Sequence, residues 1–263
     1  MSKEYFKKQL DRNIEVYKMR ILDLDLDFFI SDIAYLISDD GSRLDDNYYK
    51  PWNEKETRAF LEERCALSKS SPIKGRVIKH HDEAFFFWRE LINQGCLETP
   101  FEVVHVDAHA DLGLGDASWA YILGDLLRLP PGERVNPKTV GIDGLGFGNY
   151  LAFSIACRWI SHLTFVLHPE WDNDLPFSLL KDFDDSNGAI QLKLFDKKDI
   201  DVDKTRKASP LSVEPEVPLK LQEHKEYITR DPFDYIVLCQ SPGYTPSSAD
   251  KLLRVIEEYI DPV

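Results

Sequence analysis

Cysteine is scarce in this chain. Four occur in 263 residues, at Cys65, Cys96, Cys157 and Cys239, and none forms a Cys-x-x-Cys pair. That spacing gives no support to a zinc ribbon or a thioredoxin-like redox pair, and isolated thiols of this kind read as buried free cysteines in a reducing compartment. Long apolar runs are missing too. Nothing approaches the ~20 residues needed to span a bilayer, so no membrane partner is expected. The opening residues, Met1-Ser2-Lys3-Glu4-Tyr5-Phe6-Lys7-Lys8, lack the apolar stretch of a secretory signal, and a cytoplasmic location is the expectation. Basic clusters are also lacking. With 32 Lys and Arg against 46 Asp and Glu, the formal net charge is -14. A nucleic-acid partner requires a basic footprint, so none is expected, and the acidity favours cationic ligands instead.

What is present fits a folded α/β protein. The length permits one domain over 1–263 with a substantial core, and 43% apolar residues suffice to fill it. Strand composition is read at 20–30, 75–80, 101–107, 163–167, 190–195 and 233–239. Helical composition alternates with it at 53–67, 82–92, 117–127 and 249–260, and Asn149 is a cap candidate for a further helix. Residues 196–223, rich in Lys, Asp, Pro and Ser, read as a surface excursion. The alternation predicts a three-layer α/β sandwich with a mostly parallel sheet, whose ligands collect at the carboxyl ends of the strands. No pattern defines an oligomeric state.

Three polar clusters fall at such ends. Asp107, His109 and Asp111 alternate directly after a run of strand-forming residues, so they can converge where the strand becomes a loop. Two carboxylates and an imidazole suit a divalent cation of the Mn or Fe type, whereas a solvated turn would not require acids alternating about a histidine. Asp23, Asp25 and Asp27 alternate in the same way, and three carboxylates on one face repel unless cations offset them. An acidic edge strand is the competing explanation, but it would not usually run on into Phe28 and Phe29. His80-His81-Asp82-Glu83 is the third cluster; adjacent strand residues point opposite ways, so only one of the two histidines need face a site.

Val106-Asp107-Ala108-His109-Ala110-Asp111 resembles the Asp-Ala-His-x-Asp signature of the arginase/deacetylase superfamily, and Leu24-Asp25-Leu26-Asp27-Phe28 is similar to its second Asp-x-Asp strand. The segments from His81 to Trp88, from His168 to Trp171 and from Ser241 to Pro246 narrow the resemblance to an arginase-like branch. Its characterised members are peptide arginases, which hydrolyse arginine side chains in ribosomally made precursor peptides to ornithine and urea.

The resemblance implies two Mn2+ ions. One would be held by His81, Asp107, Asp111 and Asp25, the other by Asp107, His109, Asp25 and Asp27, with Asp23 deeper and in reserve. It implies an arginine-containing precursor peptide as partner. Two departures stand out: the Asp-x-Asp strand precedes the Asp-Ala-His-x-Asp strand, as in a circular rearrangement, and Gly148-Asn149 is followed by Tyr150-Leu151 with no relay histidine. His80, His168 and Glu83 are therefore the candidates for proton transfer. Glu83 is also the candidate for orienting a guanidinium, with Asn149 as a further substrate contact. The alternatives are a zinc-type amide deacetylase of the same fold and a non-catalytic, metal-stabilised binder of basic peptides. A haloacid-dehalogenase-type phosphatase would leave Asp107, His109 and Asp111 without a role.

Overall fold

A computed structural model describes residues 18–36 and 42–263. Its strands are β1 (Arg20–Asp25), β2 (Ile73–Ile78), β3 (Phe101–Asp107), β4 (Ile160–Leu167), β5 (Ala189–Ile190), β6 (Lys193–Leu194), β7 (Ser212–Val213), β8 (Val217–Glu223), β9 (Tyr235–Cys239) and β10 (Ile260–Pro262). Eight of them make one sheet in the order β10-β2-β9-β1-β3-β4-β8-β5, and every pairing is parallel except that of β5 with β8. β6 and β7 form a separate antiparallel pair.

Helices cover both faces. They are α1 (Glu54–Ala59), α2 (Glu83–Asn93), α3 (Ser118–Gly124), α4 (Tyr150–Ala156), α5 (Val202–Thr205) and α6 (Asp250–Glu257). α1 starts where Asn53 and Glu56 exchange side-chain-to-backbone hydrogen bonds in a capping box, which satisfies two otherwise orphaned donors. On one face Phe85, Trp88, Ile122, Leu151 and Phe153 pack in a single apolar cluster with Ile21 and Val103 of the sheet. On the other, Phe60, Leu61, Leu252 and Ile256 pack with Leu22, Leu24, Val104 and Val106. The expected three-layer α/β architecture is therefore present. Among the described residues no helix is long and apolar enough to cross a membrane.

Three elements differ from the sequence reading. The strand expected over 20–30 stops at Asp25, whose carboxylate accepts from the Asp27 amide and so favours a 3-10 turn over Leu26–Phe29. The polar stretch 196–223 is not only a surface excursion. Val217 and Leu219 alternate inward and carry β8 into the main sheet beside β4. The strand expected over 190–195 is divided between β5 and β6.

Alternation and register together place the acids. Ile21, Asp23 and Asp25 share one face of β1, and Val103, His105 and Asp107 share the same face of β3. Asp23 pairs with His105 across the strands, and Asp25 pairs with Cys239 of β9. The polar residues thus gather at the carboxyl ends of adjacent central strands, where the sheet opens to ligands.

Candidate metal centre

Six side chains singled out in the sequence meet on one cavity of about 200 Å³: Asp25, Asp27, His81, Asp107, His109 and Asp111. His81 follows β2, and its Nδ1 lies 3.1 Å from Asp25 Oδ2, 3.1 Å from Asp107 Oδ2 and 3.0 Å from Asp111 Oδ2. Asp111 reaches this position with φ at 49°, a left-handed conformation that Asp tolerates better than most residues. Nearby, His109 Nδ1 lies 3.0 Å from Asp27 Oδ2 and 3.7 Å from Asp107 Oδ1. Asp107 therefore faces both groups.

The other nitrogen of each imidazole is already committed. His81 Nε2 lies 3.2 Å from Asp23 Oδ1, and His109 Nε2 lies 3.1 Å from the Ala34 carbonyl oxygen. Each of these partners calls for an N–H, which leaves Nδ1 of both rings available as a lone-pair donor. That is the usual way a second layer fixes the tautomer of a metal-binding histidine. Buried His81 Nδ1 and Asp107 Oδ2 make no hydrogen bond, although buried polar atoms nearly always do. Oxygen-rich groups with one imidazole apiece, together with two unpartnered donor atoms, fit divalent cations.

Beneath this level lies a layer absent from the expected ligand sets. Fully buried Asp23 contacts His81, His105 Nδ1 at 3.1 Å and the Tyr150 hydroxyl, which donates to it. His105 Nε2 is 3.0 Å from the His109 carbonyl oxygen, which can only accept. Both nitrogens of His105 thus face acceptors, an environment that favours the imidazolium form. Burial works against that charge, but Asp107 and Asp23 outweigh it and raise the pKa to about 9. Burial likewise opposes ionisation of Asp23, yet His81 and His105 hold its carboxyl well below the usual range.

The upper acids are unequal. Burial, then the charges of Asp25 and Asp107, push Asp27 well above the ordinary carboxylate value, and burial with Asp107 raises Asp111 to about 7. Asp107 is also buried, but His105, His109 and His81 hold it well below the ordinary value. Against burial, Tyr150 and Asp23 raise His81, while Asp107 and Asp27 raise His109. The raised values of Asp27, Asp111, His81 and His109 mean that cations binding here would compete with protons.

The remaining sequence candidates lie elsewhere. Glu83 is exposed and accepts from the Lys79 and His80 amides, so it closes the turn ahead of α2. His80 is exposed beside an adjoining cavity. His168 is buried with both nitrogens used: Nε2 donates to the Ile30 carbonyl at 2.7 Å, and Nδ1 accepts from the Glu170 amide at 3.1 Å. Asn149 makes no side-chain cap. It binds Asp116, the Gly144 carbonyl and the Gly146 amide, and so ties a loop together.

Sequence reasoning gave no site role to several lining residues, although Ser241 and Tyr244 lie in a segment it singled out. Asp174 joins the cavity wall with Oδ2 accepting from the Ala110 amide and Oδ1 from Trp171 Nε1, both at 2.8 Å. Ser241, at φ 44°, donates to Asp25 Oδ2. The Tyr244 ring lies 5.0 Å from that of His109 and 5.9 Å from that of Phe147. His105 could have been found by extending the alternation back two residues from Asp107, but Asp174 had no local signal.

No family model matches this chain, and no curated protein matches it either. The geometry alone defines a buried Asp/His cluster able to hold metal and compatible with a metal-dependent hydrolase.

Proposed function

We propose that this chain is a binuclear manganese ureohydrolase that converts peptidyl arginine in a ribosomally made precursor peptide to peptidyl ornithine and urea. The observation that carries the proposal is the pairing of two ligand groups through Asp107. His81 with Asp25, Asp107 and Asp111 would hold one ion, and His109 with Asp27, Asp107 and Asp25 the other. The charges support this count. Five buried acids, Asp23 included, less the His105 imidazolium, leave a formal deficit that two divalent ions offset. When bound, such a pair supplies Lewis acidity, makes hydroxide accessible near neutral pH and stabilises negative charge developing on the substrate.

The cavity matches the end of an arginine side chain. Its volume of about 200 Å³ is below the ~300–1,000 Å³ of an ordinary small-molecule site. That size suits the end of a side chain better than a whole peptide. Aromatic walls from Tyr35, Phe147 and Tyr244 favour a flat cation. Asp174 takes the role expected of Glu83. Its two oxygens are held by Ala110 and Trp171, and their remaining lone pairs orient a guanidinium by charge-assisted hydrogen bonds. Ser241 fixes the Asp25 carboxylate from below.

A second reading rests on His168. With both its nitrogens bonded to backbone, the only histidines among the described residues on the cavity wall are the two ligands. That favours a metal-stabilised binder of basic peptides over an enzyme that relays protons through histidine. The experiment is to incubate Mn-loaded protein with an arginine peptide, free arginine and an acetyl-lysine peptide, and to measure urea and acetate. Urea from the peptide, with little from free arginine, is expected. Asp174→Asn should lower kcat/KM about 10- to 100-fold, as for loss of a hydrogen bond to a charged group. No urea from either arginine substrate at full metal occupancy rules out the ureohydrolase, and acetate identifies the deacetylase.

A further inference from the structure

A second cavity, of about 520 Å³, adjoins the metal cavity and shares His81, Phe147, Ser241 and Tyr244 with it. Its wall carries Lys79 and Arg43, two cations beside a strongly acidic centre. They are not equivalent. The Arg43 guanidinium is consumed by the Thr245 carbonyl and hydroxyl, the Pro246 carbonyl and both oxygens of Asp250. Lys79 uses its backbone alone: its amide donates to Glu83, and its carbonyl accepts from the Ser241 amide. Among the described residues its ammonium forms no ion pair. Lys79, a cation without an ion pair among the described residues, therefore lines a cavity that shares four residues with the metal cavity.

We propose that this cavity is the subsite for the peptide segment flanking the target arginine, and that the Lys79 ammonium selects a carboxylate on that segment. The proposal rests on the ureohydrolase reading and adds a sequence preference to it. A guanidinium seated against Asp174 leaves its chain passing the shared Tyr244 and Phe147 edge, so neighbouring residues enter the larger space. An anion there is repelled by the acids of the metal cavity until cations are bound, and Lys79 is the group that attracts it. An acidic side chain next to the arginine is the source proposed; the carboxyl terminus of a short peptide, or the carboxylate of free arginine, is the other source of the same chemistry.

The test uses Mn-loaded full-length protein and peptides with amidated ends, each with one arginine flanked by alanine or by glutamate. A matching alanine peptide with a free carboxyl terminus is the control for the other source. Peptide binding is read by fluorescence anisotropy and turnover by urea release. The glutamate peptide should bind and turn over with an apparent constant about two- to fivefold lower than the alanine peptide, the scale of a partly exposed charge pair. Lys79→Gln should remove that difference without changing kcat on the alanine peptide, Lys79→Arg should keep it, and added salt should shrink it. Equal constants for the two peptides, or a preference that survives Lys79→Gln, overturns the proposal. So does a preference for the free carboxyl terminus alone. A Lys79-dependent binding preference without any urea leaves the subsite standing and rejects the hydrolase.

Discussion

Tyr150 packs against His81 in a tilted arrangement, with ring centroids 4.7 Å apart, and donates its hydroxyl to Asp23, the acid that also holds His81 Nε2. It thus positions a cavity-facing imidazole without lining the cavity itself. Tyr150→Phe should lower stability by about 1.5–3 kcal/mol, the worth of a hydrogen bond to a charged group. It should also weaken metal binding about 10- to 100-fold, as loss of an outer-layer partner typically does. Chemical denaturation and a chelator-competition titration read the two effects, and no change in either shows the contact to be idle. His168 makes a pH prediction. Burial first, and then the neighbouring charge of His224, depress its pKa, so the folded chain resists a proton that the unfolded chain accepts below about 6.5. Its contribution is therefore complete above that value and declines as the pH falls toward the folded value. Wild-type stability should drop more steeply than that of His168→Gln on acidification, and parallel profiles would refute the assignment. Legibility also differed from residue to residue. Asp107, His109 and Asp111 are visible because one short strand end carries all three. Asp23 and Asp25 look alike in the sequence, and only depth along β1 gives one to the cavity and the other to the layer beneath it. Asp174 is invisible locally because its partner at Ala110 lies 64 positions away.

Among the elements, β2 and β9 each deliver a residue to the cavity, since His81 follows one and Ser241 the other. Their approach depends on Gly75. A Cβ built there would stand 2.2 Å from the Ile236 carbonyl oxygen of β9, a backbone atom that cannot swing aside. Gly75→Ala should destabilise the protein by about 1–3 kcal/mol, as overpacking does, and should loosen metal binding by displacing the end of β2. Hydrogen exchange that remains slow in β2 of the variant would contradict this. The same scale shows why β8 escaped notice. Its inward residues, Val217 and Leu219, are interrupted by Pro218 and Lys220, which is what a strand near a sheet edge permits and what a loop also contains. β1 misled in the other direction. Its alternation continues past Asp25, but the Asp25 carboxylate captures the Asp27 amide and turns the chain.

For the whole molecule, the centre concentrates negative charge in a chain whose net charge is already -14. Cations that bind only the folded state must stabilise it. Manganese at a hundred times its Kd should add about 2.7 kcal/mol, roughly 5–11 °C in Tm for a domain of this size, and a chelator should reverse the gain. An unchanged Tm on adding manganese would remove the metal from the account. The sequence by itself determined the α/β class, the parallel sheet and the residue types at the strand ends, because hydrophobic period and side-chain alternation are local properties. It also marked Asp25, Asp27, His81, Asp107, His109 and Asp111 as a group worth bringing together. Only the tertiary structure decided which acids face the cavity, which nitrogen of each histidine is available, and that Asp174 rather than Glu83 stands beside it. Those outcomes depend on strand register and on contacts between distant segments, and neither leaves a trace in the order of neighbouring residues.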